Sequence, residues 1–183
     1  MHSCVPDILQ GDGGFSVAER SALLLDHEVY PLMLGLVLPD AIDTITLRAQ
    51  AAAHSTMTRL VAELDTAAWI WGARTAPPVR PEFASPIGLA PRLSAAAAVR
   101  VREVRFDRDE LTEIAGQRIT TPRRTALDLL RYRTDIDFQP ETVRALLTRS
   151  DIADVNASLS GMRRLPHARR ARARLSLLAM PGQ

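Results

Sequence analysis

Apolar positions recur along this chain at helical spacing and in short runs broken by Gly, Pro and Asp, a pattern that predicts many short elements. After a loose leader from Met1 to Gly14, Ser16-Val17-Ala18-Glu19 forms a capping box that opens a helix through about Asp26. Val29 to Val37 is continuously apolar and predicts a strand, with a turn over Pro39 to Asp43. Ile45, Leu47, Ala49, Ala51 and Ala52 predict a close-packing helix over Thr44 to His54. Leu60 to Leu64 predicts a short buried strand, after which Asp65 caps a helix over Thr66 to Trp71 and Gly72 ends it. Trp69 and Trp71, two apart on that helix, point to different sides, which favours core filling over a stacking platform.

Residues 75–92 carry Pro77, Pro78, Pro81, Pro86 and Pro91 and predict an extended connector, with an edge strand embedded near Val79 to Phe83. Val99 to Phe106 alternates Val99, Val101 and Glu103 with Arg100, Arg102 and Val104, as in a half-exposed strand with an Arg-rich outer face. Thr121 as N-cap and Pro122 as first helical residue predict a helix to about Arg131, with Ala126, Leu127, Leu129 and Leu130 inward. Pro140 starts another helix with Val143, Leu146 and Leu147 inward, and Ser150 caps one that uses Ile152, Val155 and Leu159 and stops at Gly161. A last helix from Pro166 places Leu165, Ala168, Ala171, Leu175 and Leu178 on one face. The expected class is mixed α+β: a small mixed sheet packed by several short helices and closed by a basic C-terminal helix.

Composition narrows this picture. With 183 residues and 46% apolar residues the chain can bury its own core, built mainly from Ala, Leu, Val and Ile because aromatics are only 4%. All 23 basic residues are Arg and Asn156 is the only Asn, as the codon bias of a GC-rich genome would produce; every cationic side chain is then a planar, permanently charged guanidinium. Residues 1–98 hold 6 Arg against 10 acids and residues 99–183 hold 17 Arg against 11, so the C-terminal half is basic by six and suits an acidic or polyanionic partner. Cys4 stands alone, and His2, His27, His54 and His167 are scattered, so no disulfide or metal site is expected. Gly11-Asp12-Gly13-Gly14 lacks the following Lys-Ser/Thr of a phosphate-cradling loop. No secretory leader pattern or run of membrane-spanning length occurs, which predicts a cytoplasmic protein.

Two places carry candidate chemistry. The start of the Thr-Pro helix gathers Arg118, Thr120, Thr121, Arg123 and Arg124, with Asp128 one turn on, around a helix N-terminus whose unpaired N–H groups favour an anion. The competing reading has Thr121 as a plain cap and the arginines paired with Asp107, Asp109 and Asp128. On the last helix, Arg163, His167, Arg170 and Arg174 form a basic stripe flanked by Arg164, Arg169 and Arg172. Such a stripe suits an acidic protein groove, nucleic acid, an anionic membrane or plain solvation; the absence of anchoring aromatics argues against the membrane.

The order Gly116, Arg118-Ile119-Thr120, Pro122, Arg124-Thr125-Ala126 and Asp128-Leu129 resembles a segment of AbiEi-type antitoxins. Leu60 to Gly72, with Ala67-Ala68-Trp69 before the closing Gly, and Val99 to Val104 are similar to that family's preceding strand-helix and strand, so that the resemblance spans residues 28–150. It implies a bacterial toxin–antitoxin pair in which a nucleotidyltransferase-like toxin is encoded by the adjacent gene. Typical members carry an N-terminal winged helix for promoter DNA, whereas only about forty residues precede the matching region here, too few for a complete one. The expected organisation is therefore a short appendage over residues 1–40 and an antitoxin domain over residues 41–183. Three modes of action stay open: direct binding of the toxin, with no cofactor; phosphorylation of the toxin as an atypical protein kinase, with ATP and magnesium held by arginines and unassigned carboxylates; and repression of its own promoter. Against the second, a glycine-rich loop, a phosphate-pairing Lys and an Asp-Phe-Gly site are all missing.

Overall fold

A computed structural model describes residues 8–9, 15–53, 59–88, 99–147, 152–161 and 167–179. The first strand, β1 (Ile8–Leu9), is followed by helix α1 (Val17–Leu25), which carries the expected Ser16/Glu19 capping box. The apolar run after it is not one strand. It folds back as a hairpin of β2 (Tyr30–Leu32) and β3 (Gly35–Val37), with Met33 at φ 53 in the turn, and these pair as the antiparallel sheet β1-β3-β2. Helix α2 (Ile45–Ala52) then starts at a Thr44 cap whose hydroxyl accepts from the Leu47 N–H at 3.1 Å.

The second sheet holds five strands in the order β6-β5-β4-β8-β7. These are β4 (Val61–Ala62), β5 (Glu82–Pro86), β6 (Arg100–Val104), β7 (Leu111–Ile114) and β8 (Gln117–Thr120). β4 runs parallel to β8 and β5 parallel to β6, while the β4/β5 and β7/β8 pairs are antiparallel. The strand expected at an edge near Val79 to Phe83 thus lies further on and inside the sheet. Its Pro81 precedes the pairing and Pro86 ends it, so neither proline removes a needed donor within the ladder. The β7/β8 turn uses Ala115 at φ 49 and Gly116 at φ 79, the left-handed pair a tight hairpin requires.

Helix α3 (Leu64–Ile70) follows β4 directly and is capped differently from the expectation. Glu63, not Asp65, occupies the cap position and makes no side-chain cap bond; Leu64 sits at φ 51, and the Asp65 N–H is satisfied by the Glu82 carboxylate at 3.2 Å. The far end closes as expected: Gly72 at φ 76 donates to Trp69 O and Ala73 to Ala68 O, both at 2.9 Å, a Schellman motif. Helix α4 (Pro122–Tyr132) begins at Thr121 as predicted and is followed by α5 (Pro140–Leu147), α6 (Ile152–Gly161) and α7 (Ala168–Ala179).

Two apolar clusters form the core. One joins α2, α3 and the sheet through Leu47, Trp69, Ile70, Phe83 and Ile119, and Leu32, Leu34 and Val37 from the N-terminal hairpin pack against it. The other joins α3 to α7 around α4 through Leu127, Leu130, Val143, Leu146, Leu159 and Leu175. Every residue of α4 from Arg124 to Arg131 is buried, polar ones included, so this helix lies inside the molecule rather than half on its surface.

Candidate functional site

Thr120, Thr121, Arg123, Arg124 and Asp128 meet at the β8 to α4 junction. The Thr121 hydroxyl accepts from the Arg124 N–H at 3.4 Å, and the Thr120 and Thr125 hydroxyls, both buried, lie 2.7 Å apart. The Trp71 indole N–H donates to Thr120 O at 2.8 Å and fixes the turn from the other side. Arg123 pairs with Asp109 at 2.9 Å. Arg124 reaches Asp128 at 2.9 Å through Nε and is also paired with Glu110 through Nη1. Arg118 is elsewhere, donating to the Arg59 carbonyl. Thus the guanidiniums nearest the helix start are engaged by the chain's own carboxylates.

Asp128 is the hub of this arrangement. It is 0% exposed and faces Arg124, Arg102 at 3.3 Å and Arg131 at 3.7 Å. Arg102 also forms a fork with Glu63, Nε to Oε1 at 2.5 Å and Nη2 to Oε2 at 2.7 Å. This corrects the reading of β6 as a half-exposed strand with an Arg-rich outer face: Arg100 is exposed, but Arg102 turns inward across Glu63 and Asp128. A neighbouring network holds the C-terminal end of α4. There Arg133 binds the Glu82 carboxylate through both terminal nitrogens and Asp65 at 3.0 Å, and Arg74 meets Asp65 at 3.3 Å.

Burial disfavours the charged form of every member, and proximity of opposite charge works against that cost. For Arg102, Arg124 and Arg133 burial pulls the pKa down, but hydrogen bonds and charges from Glu63, Asp128, Glu110, Glu82 and Asp65 prevail and leave it above the ordinary value. For Glu63 burial prevails over Arg102 and holds the carboxyl above its usual range, and Asp65 is raised by burial against Arg133 and Arg74. The folded chain therefore retains protons that the unfolded chain releases at about pH 4. That stabilising contribution is complete below the unfolded value and is lost as pH rises through the folded one. Glu63→Gln is expected to flatten this decline in stability as pH rises above about 4, measured by urea unfolding at successive pH values. An unchanged slope would show that Glu63 titrates alike in both states.

Over this floor opens a cleft of about 380 Å³ lined by Arg102, Glu103, Arg105, Asp107, Arg131 and Tyr132 among others. Arg102 and Arg131 lie 4.2 and 4.7 Å from the Tyr132 ring centre, and Arg124 lies 5.0 Å from that of Phe106. Sequence reasoning missed Glu63, Glu82, Glu110, Arg131 and Arg133, and placed Arg102 on an outer strand face without these partners. Only Glu110 carried a local signal, since Asp107 and Glu110 form a capping box around the 3-10 turn Arg108–Glu110.

The basic helix α7 divides its arginines. Ala168, Ala171 and Leu175 are buried as expected, but so is Arg174, which donates to Leu130 O at 3.1 Å and Arg133 O at 3.0 Å, pairs with Asp135 and lies over the Phe138 ring at 4.2 Å. It caps the C-terminal carbonyls of α4 and is not part of a surface stripe. Arg172 is half-buried, whereas Arg169, Arg170 and His167 are exposed. Arg163 and Arg164 lie outside the described residues.

The family model of the AbiEi antitoxin C-terminal domain matches residues 60–178, which contain all strands of the five-stranded sheet, α3 to α6 and nearly all of α7. This chain belongs to the AbiEi antitoxin family. The AbiEi match starts later than the resemblance read from the sequence and runs further, taking in α6 and α7. An AbiEi antitoxin domain carries an antitoxin role in a toxin–antitoxin system. Among solved structures, the RV2827C protein from Mycobacterium tuberculosis is similar at 14% identity and a TM-score of 0.39, over 91% of this chain and 70% of that one. No curated protein matches this antitoxin. Among the described residues no group of three or more His, Cys, Asp or Glu is arranged to hold a metal ion, and no helix is long and apolar enough to cross a membrane.

Proposed function

We propose that this AbiEi antitoxin neutralises a nucleotidyltransferase-like toxin in the bacterial cytoplasm by binding it directly, through the exposed arginines at the start of α7. The observation that carries this reading is the contrast between the two basic sites. At the start of α4, Arg123 and Arg124 are already neutralised by Asp109, Glu110 and Asp128, so a phosphate arriving there would meet three carboxylates and displace three ion pairs. On α7, Arg169 and Arg170 are exposed and form no ion pair among the described residues. Exposed guanidiniums on a helix tied to α4 by Arg174 suit an acidic protein surface, where charge complementarity sets partner choice and association rate.

The reading needs neither ATP nor magnesium. Reversing both charges, Arg169→Glu with Arg170→Glu, is expected to weaken binding to the product of the adjacent toxin gene by about a hundredfold, with association rate and salt dependence both falling. Calorimetric titration at two salt concentrations checks this. Undiminished affinity in the double variant would contradict it, and retention of promoter DNA lost in the same variant would transfer these arginines to autorepression.

A further inference from the structure

We infer that the toxin-binding surface continues from α7 into the cleft over Asp128, with Tyr132 and Arg105 as its second anchor; the inference rests on the direct-binding reading. The continuity is physical. The exposed His167, one residue before α7 and three before Arg170, lies with its ring 6.0 Å from the Tyr132 ring in an edge-on contact. Tyr132 in turn lines the cleft. One surface therefore runs from His167 at the head of α7 across Tyr132 to Arg105, which is exposed and forms no ion pair among the described residues.

This second anchor is already ordered. Tyr132 is 36% exposed, enough to offer a contact face, and its ring is held against the guanidiniums of Arg102 and Arg131. Those guanidiniums are themselves fixed by Glu63 and Asp128. An aromatic ring that loses little freedom on contact contributes more of its gross interaction to affinity, and Tyr and Arg dominate the residues that carry binding energy.

The charges of the cleft select the class of partner. Glu103, Asp107 and Glu110 line it together with Arg102, Arg105, Arg124 and Arg131. A nucleic-acid backbone is held by neutralising its phosphates and would meet three carboxylates among these arginines. A protein segment does not. An acidic stretch of the toxin lying along Arg169 and Arg170 can turn one side chain against Tyr132 and place a carboxylate on Arg105.

The test titrates the product of the adjacent toxin gene with the full-length chain and with Arg105→Glu, Tyr132→Ala and, as an equal charge change away from the cleft, the exposed Arg144→Glu on α5. Arg105→Glu is expected to weaken binding about tenfold or more and Arg144→Glu by less than about threefold, with Tyr132→Ala falling alongside Arg105→Glu if its circular dichroism is unchanged. Arg105→Glu decides the matter because Arg105 is exposed and its replacement does not disturb the buried floor. Wild-type affinity in Arg105→Glu, with binding still lost in the Arg169/Arg170 double variant, would end the surface at α7 and overturn the inference while direct binding stands. No binding by the wild-type chain would overturn both. Retention of random-sequence duplex DNA that depends on Arg105 would assign the cleft to phosphates and overturn the protein-segment reading.

Discussion

Asp128→Ala is expected to lower the free energy of unfolding by about 3 to 5 kcal/mol, the range seen when one partner of a buried ion pair is removed. Asp128 has no exposed surface, and it is the carboxylate on which Arg102, Arg124 and Arg131 converge. Glu63 and Glu110 remain to Arg102 and Arg124, but their charges then no longer balance the cluster, and each guanidinium loses a buried acceptor. Asp128→Asn preserves volume and one acceptor oxygen and should recover part of the loss. Urea unfolding of both variants at neutral pH measures it. A loss below about 1 kcal/mol for Asp128→Ala would mean that water replaces the carboxylate and that the hub is wetter than its burial implies.

Arg174→Met carries the second large effect, about 2 to 4 kcal/mol, for a different reason. Arg174 satisfies two carbonyls at the end of α4, Leu130 O and Arg133 O, where helix geometry supplies no donors. Its pairing with Asp135 adds little, because that carboxylate is 87% exposed. The loss therefore comes from hydrogen bonds between a charged donor and buried carbonyls, about 1.5 to 3 kcal/mol each at most, offset in part by the apolar Met stem. Arg174→Lys should rescue less than half: a single ammonium cannot span both carbonyls and also stack on Phe138. Thermal unfolding of the pair of variants checks this, and full rescue by Lys would show that charge alone, not the planar fork, holds α7 in place.

The elements legible in the sequence are those whose cause is local. Thr121 with Pro122, the Ser16/Glu19 box, Gly72 and Pro140 each act within one helical turn, and the helices begin or end where those residues stand. The hairpin of β2 and β3 was not legible, because its turn uses Met33 at φ 53 and no residue that signals a turn. β5 was displaced for a related reason: its prolines mark an edge only if they fall inside the ladder, and here they bracket it. The site was least legible of all. Glu63 and Arg102 are 39 residues apart, and Glu82 and Arg133 are 51 apart, so no periodicity within one element could have joined them. The pattern that placed Arg174 on a partner-binding basic stripe was correct about its spacing, yet Arg174 lies between Ala171 and Leu175 at the margin of the buried face, where the open carbonyls of α4 draw it in.

Neutralisation by direct binding is open to one decisive measurement. The measurement that reaches it is toxin activity together with intact toxin mass, taken on the product of the adjacent gene mixed with this antitoxin, with and without ATP and magnesium. Direct binding predicts inhibition at equimolar protein without nucleotide and no change in toxin mass. A toxin that stays fully active until ATP and magnesium are added, and that then gains the mass of a phosphate, would contradict it.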